Sequence, residues 1–162
     1  MERITSRTNP LMTHIRKLSS SAAYRREQGE FLCDSPKLLG EALQWQAELC
    51  TVVATQGTEL PPLPQGVRVV EVPEDVMAFV SPMQTPQGAL FLCRLPEQTV
   101  FSPQPGMLIL DGIQDPGNLG TILRTADALD VPVVLLEGCA DPYRHKVVRS
   151  SMGAVFRTPV QR

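Results

Sequence analysis

The chain has 162 residues, 43% of them hydrophobic and 20% charged, a balance that suits a folded globular protein and excludes an intrinsically disordered one. Its apolar runs all fall short of the ~20 residues that a helix needs to cross a bilayer, and MERITSRTNP lacks the apolar stretch of a secretory signal, so a cytoplasmic setting and no membrane partner are expected. A net charge of −2 gives no general attraction to a polyanion, but the charges are unevenly placed. Residues 1–30 carry Arg3, Arg7, Arg16, Lys17, Arg25 and Arg26 against three acids, and residues 141–162 carry Arg144, Lys146, Arg149, Arg157 and Arg162 against Asp141 alone. Two basic ends on an acidic middle suit a phosphate-bearing partner, with ordinary solvated surface as the alternative.

Cys33, Cys50, Cys93 and Cys139 are far apart, and only His14 and His145 accompany them. This is no recognisable metal-ligand set, and no metal is expected. The cysteines read as small buried hydrophobes in a reducing compartment.

In chain order, NPLMTHIRKLSS predicts a helix, with Asn9 as cap, Pro10 in the first turn and Leu11, Ile15 and Leu18 on one face. AAYRREQGE predicts a second short helix ending near Gly29, and EFLCD a strand. SPKLLGEALQW starts with a capping serine and a first-turn proline, and its apolar face is Leu38, Leu39, Ala42 and Leu43. ELCTVVAT and VRVVEV are β-branched strands separated by a loop over 57–66. PEDVMAFVS is a brief helix and GALFLCRL a further strand, which completes an α/β unit over residues 1–95. The three prolines of PEQTVFSPQPG predict a linker over 96–106. A second unit over 107–162 follows: strand 107–112, a loop, helix 118–129, strand 131–136, a helix over about 142–151 and VFRTPV as a new strand. Strands alternating with helices imply a parallel sheet.

The loop DGIQDPGNLG lies where open α/β sheets bind ligands, beyond the carboxyl end of a strand. Pro116 fixes a turn, Asn118 either caps the helix or offers its amide to a substrate, and Gly120 lets something approach the first helical turn. Leu119, Ile122, Leu123, Ala126 and Leu129 form the buried stripe, which leaves Arg124 off it. Free N–H groups, an asparagine and an arginine suit an anionic or phosphodiester ligand; a capped helix with a solvated arginine is the alternative. The glycine pattern is neither a dinucleotide fingerprint nor a P-loop. Asp111 and Asp115 read as turn and capping residues ahead of a paired-carboxylate site, and Ser150 and Ser151 have no partners for a nucleophilic role.

DGIQDPGNLGTILRTADALDV, residues 111–131, resembles the first motif of the SpoU/TrmH RNA methyltransferases of the SPOUT class. KVVRSSMGAVFRTPV, residues 146–160, resembles their second. ITSRTNP, IRKL, RREQGEFL, PKLLGEAL and TPQGAL are similar, in order, to the family's substrate-binding domain. The resemblance covers nearly the whole chain. It implies an α/β fold: a small ribosomal-protein-like RNA-binding domain, then the first half of a parallel-sheet SPOUT knot domain. It implies methyl transfer from S-adenosylmethionine to a ribose 2′-hydroxyl, with ribosomal RNA as the expected substrate, by a homodimer. Arg124 and Asn118 would be catalytic, Arg124 contacting the target phosphate and assisting deprotonation, Asn118 positioning the ribose or the arginine. A ribose hydroxyl is too weak an acid to ionise unaided at neutral pH, so the reaction needs such help. Arg16, Lys17, Arg25, Arg26, Arg144, Lys146 and Arg149 would contact RNA, with surface solubility or a basic helix terminus as the alternative for each group.

The resemblance also departs in places. The family's glycine-rich G-N-E-G-type loop and its knot-forming segment do not occur within the 162 residues, so the chain is expected to be truncated. No residue here is assigned to S-adenosylmethionine, and apolar faces after residue 105 are expected to be exposed. Asp34-Ser35 stands where the family usually has Glu-Gly. The alternative function is a non-catalytic RNA-binding module.

Overall fold

In the computed structural model, which describes residues 1–97, 102, 104–158 and 160–161, the chain divides after Leu95 into two units, Met1–Leu95 and Pro96–Arg162. The first contains β1 (Glu2–Arg3), α1 (Pro10–Ser20), α2 (Ala22–Gln28), β2 (Glu30–Asp34), α3 (Pro36–Gln44), β3 (Leu49–Thr55), β4 (Arg68–Val72), α4 (Glu74–Val80) and β5 (Ala89–Arg94). Its sheet has the order β1-β4-β3-β5-β2 and is mixed: β5 runs antiparallel to both neighbours, whereas β1, β4 and β3 pair in parallel. Two-residue β1 carries no periodicity of its own and is defined only by pairing Glu2 with Val70 and Arg3 with Glu71.

Alternation along the strands sorts the core into two layers. Leu32, Val53, Leu90 and Leu92 join Leu11, Met12, Ile15 and Leu18 of α1 and Val76, Met77 and Val80 of α4 in one buried cluster. The intervening Phe31, Cys33, Val52, Phe91 and Cys93 are also buried, on the face where α3 brings Leu38, Leu39 and Ala42 against β2 and β5. Leu43, expected with that face, is only half-buried. Two helix ends follow the reading: Asn9 accepts from the Leu11 N–H at 2.9 Å, and Gly29 ends α2 at φ 65°. Ser21, for which no cap was expected, accepts from the Tyr24 N–H at the start of α2. All four cysteines are free; Cys33 and Cys93 are buried, but Cys50 and Cys139 are partly exposed, which corrects the expectation that all are interior. Burial holds the Cys33 thiol well above its usual pKa, and partial burial beside Glu30 pushes Cys50 up to about 11.

Ser35 caps α3 from φ 93°, ψ 142°, a backbone region that glycine enters freely and a side chain does not. This is the position where the resembled family usually has glycine.

The second unit contains β6 (Leu108–Leu110), α5 (Pro116–Ala128), β7 (Val133–Leu135), α6 (His145–Ser150), α7 (Ala154–Arg157) and β8 (Val160–Gln161). Its sheet is parallel throughout, in the order β6-β7-β8. Leu108 and Ile109 of β6 are 36% and 58% exposed. The elements fall in the expected order, with shorter strands and with α5 starting two residues earlier, at the proline. One assignment changes: VFRTPV is not a strand throughout, since Val155–Arg157 lie in α7 and only Val160 and Gln161 pair with β7. Gly153, at φ 87°, turns the chain directly into that helical turn. Of the linker expected at 96–106, residues 98–101 and 103 lie outside the described residues, as do Pro159 and Arg162.

Two contacts hold the helices of this unit together. At Gly120 the α5 backbone meets α6: a Cβ there would lie 2.7 Å from the Val147 carbonyl and collide with the Ser150 side chain. The Ser150 hydroxyl bridges the same junction, donating toward the carbonyls of Pro116 at 3.1 Å and Lys146 at 2.9 Å. At the other end of α5, the Asp127 carboxylate accepts from Arg157 Nε at 2.7 Å and Thr158 Oγ1 at 2.8 Å, with both charged groups largely shielded.

Three stability predictions follow from these positions, each read by urea unfolding of the chain. Ser35→Gly raises stability by about 1 kcal/mol, because relief of backbone strain exceeds the few tenths lost from the cap; a loss would show that the strain is absent. Gly120→Ala lowers it by about 2 kcal/mol, overpacking outweighing the ~1 kcal/mol gain in helix propensity, and Ser150→Ala in the same chain restores part of the loss. Asp127→Ala costs about 2 kcal/mol by leaving a shielded guanidinium without its carboxylate, and a double-mutant cycle with Thr158→Ala shows coupling.

Candidate active site

The loop after β6 leads to a helix start whose donors are mostly consumed within the chain. Asp115 is the cap, its Oδ1 accepting the Asn118 N–H at 2.7 Å, and the Leu119 N–H closes on the Asp115 carbonyl at 3.0 Å. Pro116 has no N–H to give. Among the described residues only the Gly117 N–H of this first turn is left without a partner. The expectation of several free N–H groups is therefore corrected: Asp115 has taken the place an anion would occupy, and its charge opposes a phosphate there.

The same cap decides the two readings of Asn118. It does not cap the helix, and its exposed side chain is left for solvent or substrate. Gly120 is also decided. What approaches its backbone is α6, not a ligand.

Arg124 is exposed, and among the described residues no carboxylate pairs with it. Asn118 and Arg124 are six positions apart, so they lie ~9 Å along the axis and ~120° around it, with Thr121 between them. No hydrogen bond joins them. Thr121 and Thr125 turn their hydroxyls back onto the helix carbonyls of Gly117 and Thr121, at 2.9 and 3.0 Å. The site thus offers an unpaired planar cation and an amide on one rigid helix, able to hold a ribose-phosphate segment at two points.

A cofactor of an open α/β sheet would rest on the loops at the carboxyl ends of β6 and β7. They close on one another: the Ala140 N–H reaches the Ile113 carbonyl at 2.8 Å, and the Cys139 thiol sits between the Leu110 carbonyl and the Ile113 N–H, each at 3.4 Å. No buried polar side-chain atom of these loops is left orphaned and aimed at a ligand among the described residues. They do not by themselves fit S-adenosylmethionine. Nor, among the described residues, do three or more His, Cys, Asp or Glu side chains gather where a metal could sit, and no helix among them is long and apolar enough to cross a membrane.

The residues expected to contact RNA separate. Arg144, Lys146 and Arg149 are exposed around α6, the first preceding the helix. Arg16 and Lys17 are exposed on α1 and Arg26 on α2. Arg25 is different: it is 3% exposed, and its guanidinium donates to the Leu18 carbonyl at the end of α1. A phosphate cannot reach it without unfolding that turn, so Arg25 is withdrawn from the set. Tyr24, half-buried, lies under Lys17 at 5.5 Å and hydrogen-bonds His14 Nδ1 at 2.9 Å. Asp127 was missed as a positioning residue; the available signal was a carboxylate in the first motif and an arginine in the second.

The SpoU rRNA methylase family model matches residues 105–162, and the MRM3-like substrate-binding domain model matches residues 9–90. The chain is 33% identical to the 23S rRNA (guanosine(2553)-2′-O)-methyltransferase RlmP of Bacillus subtilis over its full length, covering 65% of that protein. It is 32% identical to the mitochondrial rRNA methyltransferase 3 of Homo sapiens, with 92% of this chain and 39% of that protein aligned. The chain therefore spans less than two thirds of the length of these relatives. Among solved structures, an rRNA methyltransferase from Sinorhizobium meliloti, also solved with AdoMet bound, superposes with a TM-score of 0.83 at 31% identity over 99% of this chain and 64% of its own. A TrmH-family protein from Porphyromonas gingivalis superposes with a TM-score of 0.84 at 35% identity over 95% of this chain and 62% of its own. With a substrate-binding match covering half of its length and a methylase match following directly, the chain belongs to the SpoU family of rRNA methylases.

Proposed function

We propose that the protein carrying this chain transfers a methyl group from S-adenosylmethionine to a ribose 2′-hydroxyl of ribosomal RNA, acting in the cytoplasm as a homodimer. In this reading residues 1–95 grip the RNA and residues 107–162 contribute part of the methyltransferase domain. The observation that carries it is Arg124, exposed and without a carboxylate partner among the described residues, on the helix within the family's first motif.

Arg124 binds the phosphate beside the target ribose. Its permanent positive charge then stabilises the oxygen as the hydroxyl passes its proton to solvent water and bonds to the methyl group, so arginine itself need not act as the base. Asn118 hydrogen-bonds the ribose and fixes which hydroxyl is presented, since attack requires the oxygen in line with the methyl group. The helix start does not bind the phosphate, because Asp115 already fills it. Lys146, Arg144 and Arg149 hold flanking backbone.

A second reading, a non-catalytic RNA-binding module, is favoured by one observation: the loops beyond β6 and β7 close on each other instead of forming a cradle.

The test is methyl transfer from labelled S-adenosylmethionine to ribosomal RNA by the protein with every residue its gene encodes, read as 2′-O-methylnucleoside after digestion. Arg124→Ala is expected to lower kcat by about 100-fold or more with only a small change in RNA affinity. Arg124→Lys, which keeps charge but not the planar fork, recovers a minor part. Full activity in Arg124→Ala would remove it from the chemistry, and no product from the unaltered protein would leave the binding-module reading.

A further inference from the structure

We infer that a hollow of about 500 Å³ on the N-terminal unit, between α1 and the end of α4, seats one nucleotide of single-stranded RNA, its phosphate on Arg16 and Lys17 and its base stacked on the guanidinium face backed by Phe79. This deepens the RNA reading above and rests on it.

The hollow is built by helical spacing. Thr13, Arg16, Lys17 and Ser20 recur at i, i+3, i+4 and i+7, so they line one side of α1, opposite the stripe that enters the core. Arg7 comes from the segment before α1, and Phe79 from the last turn of α4. Phe79 packs against the buried core cluster, which fixes its ring. The Arg16 guanidinium carbon lies 4.4 Å from the ring centroid and that of Arg7 5.6 Å, both within cation–π range. An arginine held this way has lost much of its rotamer freedom before any ligand arrives, which lowers the cost of binding.

The charges do not cancel. Arg7 donates to Asp75 Oδ2 at 3.0 Å, which offsets it. Neither Arg16 nor Lys17 has a carboxylate partner among the described residues, so the hollow carries two uncompensated positive charges. Two cations suit a phosphate. An arginine plane with an aromatic ring behind it suits a splayed-out base, and the Thr13 hydroxyl suits a ribose. The volume falls within the ~300–1,000 Å³ of small-ligand sites and accepts a base, which a simple phosphate-binding surface would not need. A duplex keeps its bases stacked inside, so the seat selects single strands.

The experiment is fluorescence anisotropy of the full chain with a short labelled single-stranded RNA, titrated at several salt concentrations from about 50 mM upward. Arg16→Ala with Lys17→Ala is expected to weaken binding about tenfold or more and to reduce the salt slope by about 0.7, the share of the one phosphate that the two cations hold. Both side chains are exposed, so the fold is retained. Phe79→Leu keeps bulk against the core and keeps the charges; it weakens binding severalfold with the slope unchanged, because only stacking is lost. Arg144→Ala with Lys146→Ala and Arg149→Ala serves as the comparison in the other unit. If the unaltered chain binds RNA and only this last variant weakens it, the hollow is overturned while the RNA reading stands. Equal affinity for a duplex of the same sequence also overturns it, and no binding by the unaltered chain overturns both.

Discussion

The second unit depends on the close approach of α6 to α5 at Gly120. A helix pair with side chains at that crossing would stand further apart, and α6 would no longer set the Ser150 hydroxyl against the Pro116 carbonyl. From that junction follows the direction of α5, hence where Asn118 and Arg124 emerge. Asp127 fixes the other end of the same helix by taking both Arg157 and Thr158. The first motif therefore has two kinds of residue. Leu119, Gly120, Leu123, Ala126 and Asp127 face protein, and Asn118 and Arg124 face out. A motif that looks like a single functional signal is a packing surface that also carries exposed groups, Asn118 and Arg124 among them.

Uncompensated positive charge in this protein is carried by side chains, not by the start of α5. Asp115 supplies the negative charge that the α5 N-terminus attracts, which stabilises the helix and closes the place to phosphate. Among the described residues, cations without a carboxylate partner lie elsewhere, among them Arg124 two turns into α5 and Arg16 and Lys17 on α1. Each is exposed yet anchored on a helix, and Arg16 is further restrained by Phe79. This accounts for how a chain of net charge −2 presents local positive sites.

The order and type of most elements were legible because local physics and tertiary packing agree. Asn9 and Ser35 read as caps and cap; Gly29 takes the left-handed conformation that ends α2; apolar spacing on α1 matches what is buried. On α5 the expected stripe is corrected at its end: Leu119, Leu123 and Ala126 are buried, but Ile122 is half-buried and Leu129, past the last turn, is 69% exposed. Where reading and structure part, a non-local contact decides. VFRTPV has the composition of a strand, yet Gly153 bends its first half into α7, where Arg157 reaches Asp127. Arg25 lies beside Arg26 in sequence, and only the packing of α2 on α1 separates a buried guanidinium from a solvated one. Ser35, in contrast, shows a departure from the family pattern that the backbone explains, since it holds a positive φ that glycine meets without strain.

What the sequence determined by itself was the set of elements, the two-unit layout of strands and helices, and the family resemblance through its two motifs, because periodicity, caps and turn residues act over a few positions. Only the tertiary structure decided which charges are free. Arg25 is enclosed, Arg7 is shared with Asp75, Arg157 is committed to Asp127, and Arg16, Lys17 and Arg124 remain without a carboxylate among the described residues. The partners involved are up to 68 residues apart in the chain. A charge is neutralised by whatever lies within a few ångströms of it, and that neighbour is set by the fold and not by the order of residues.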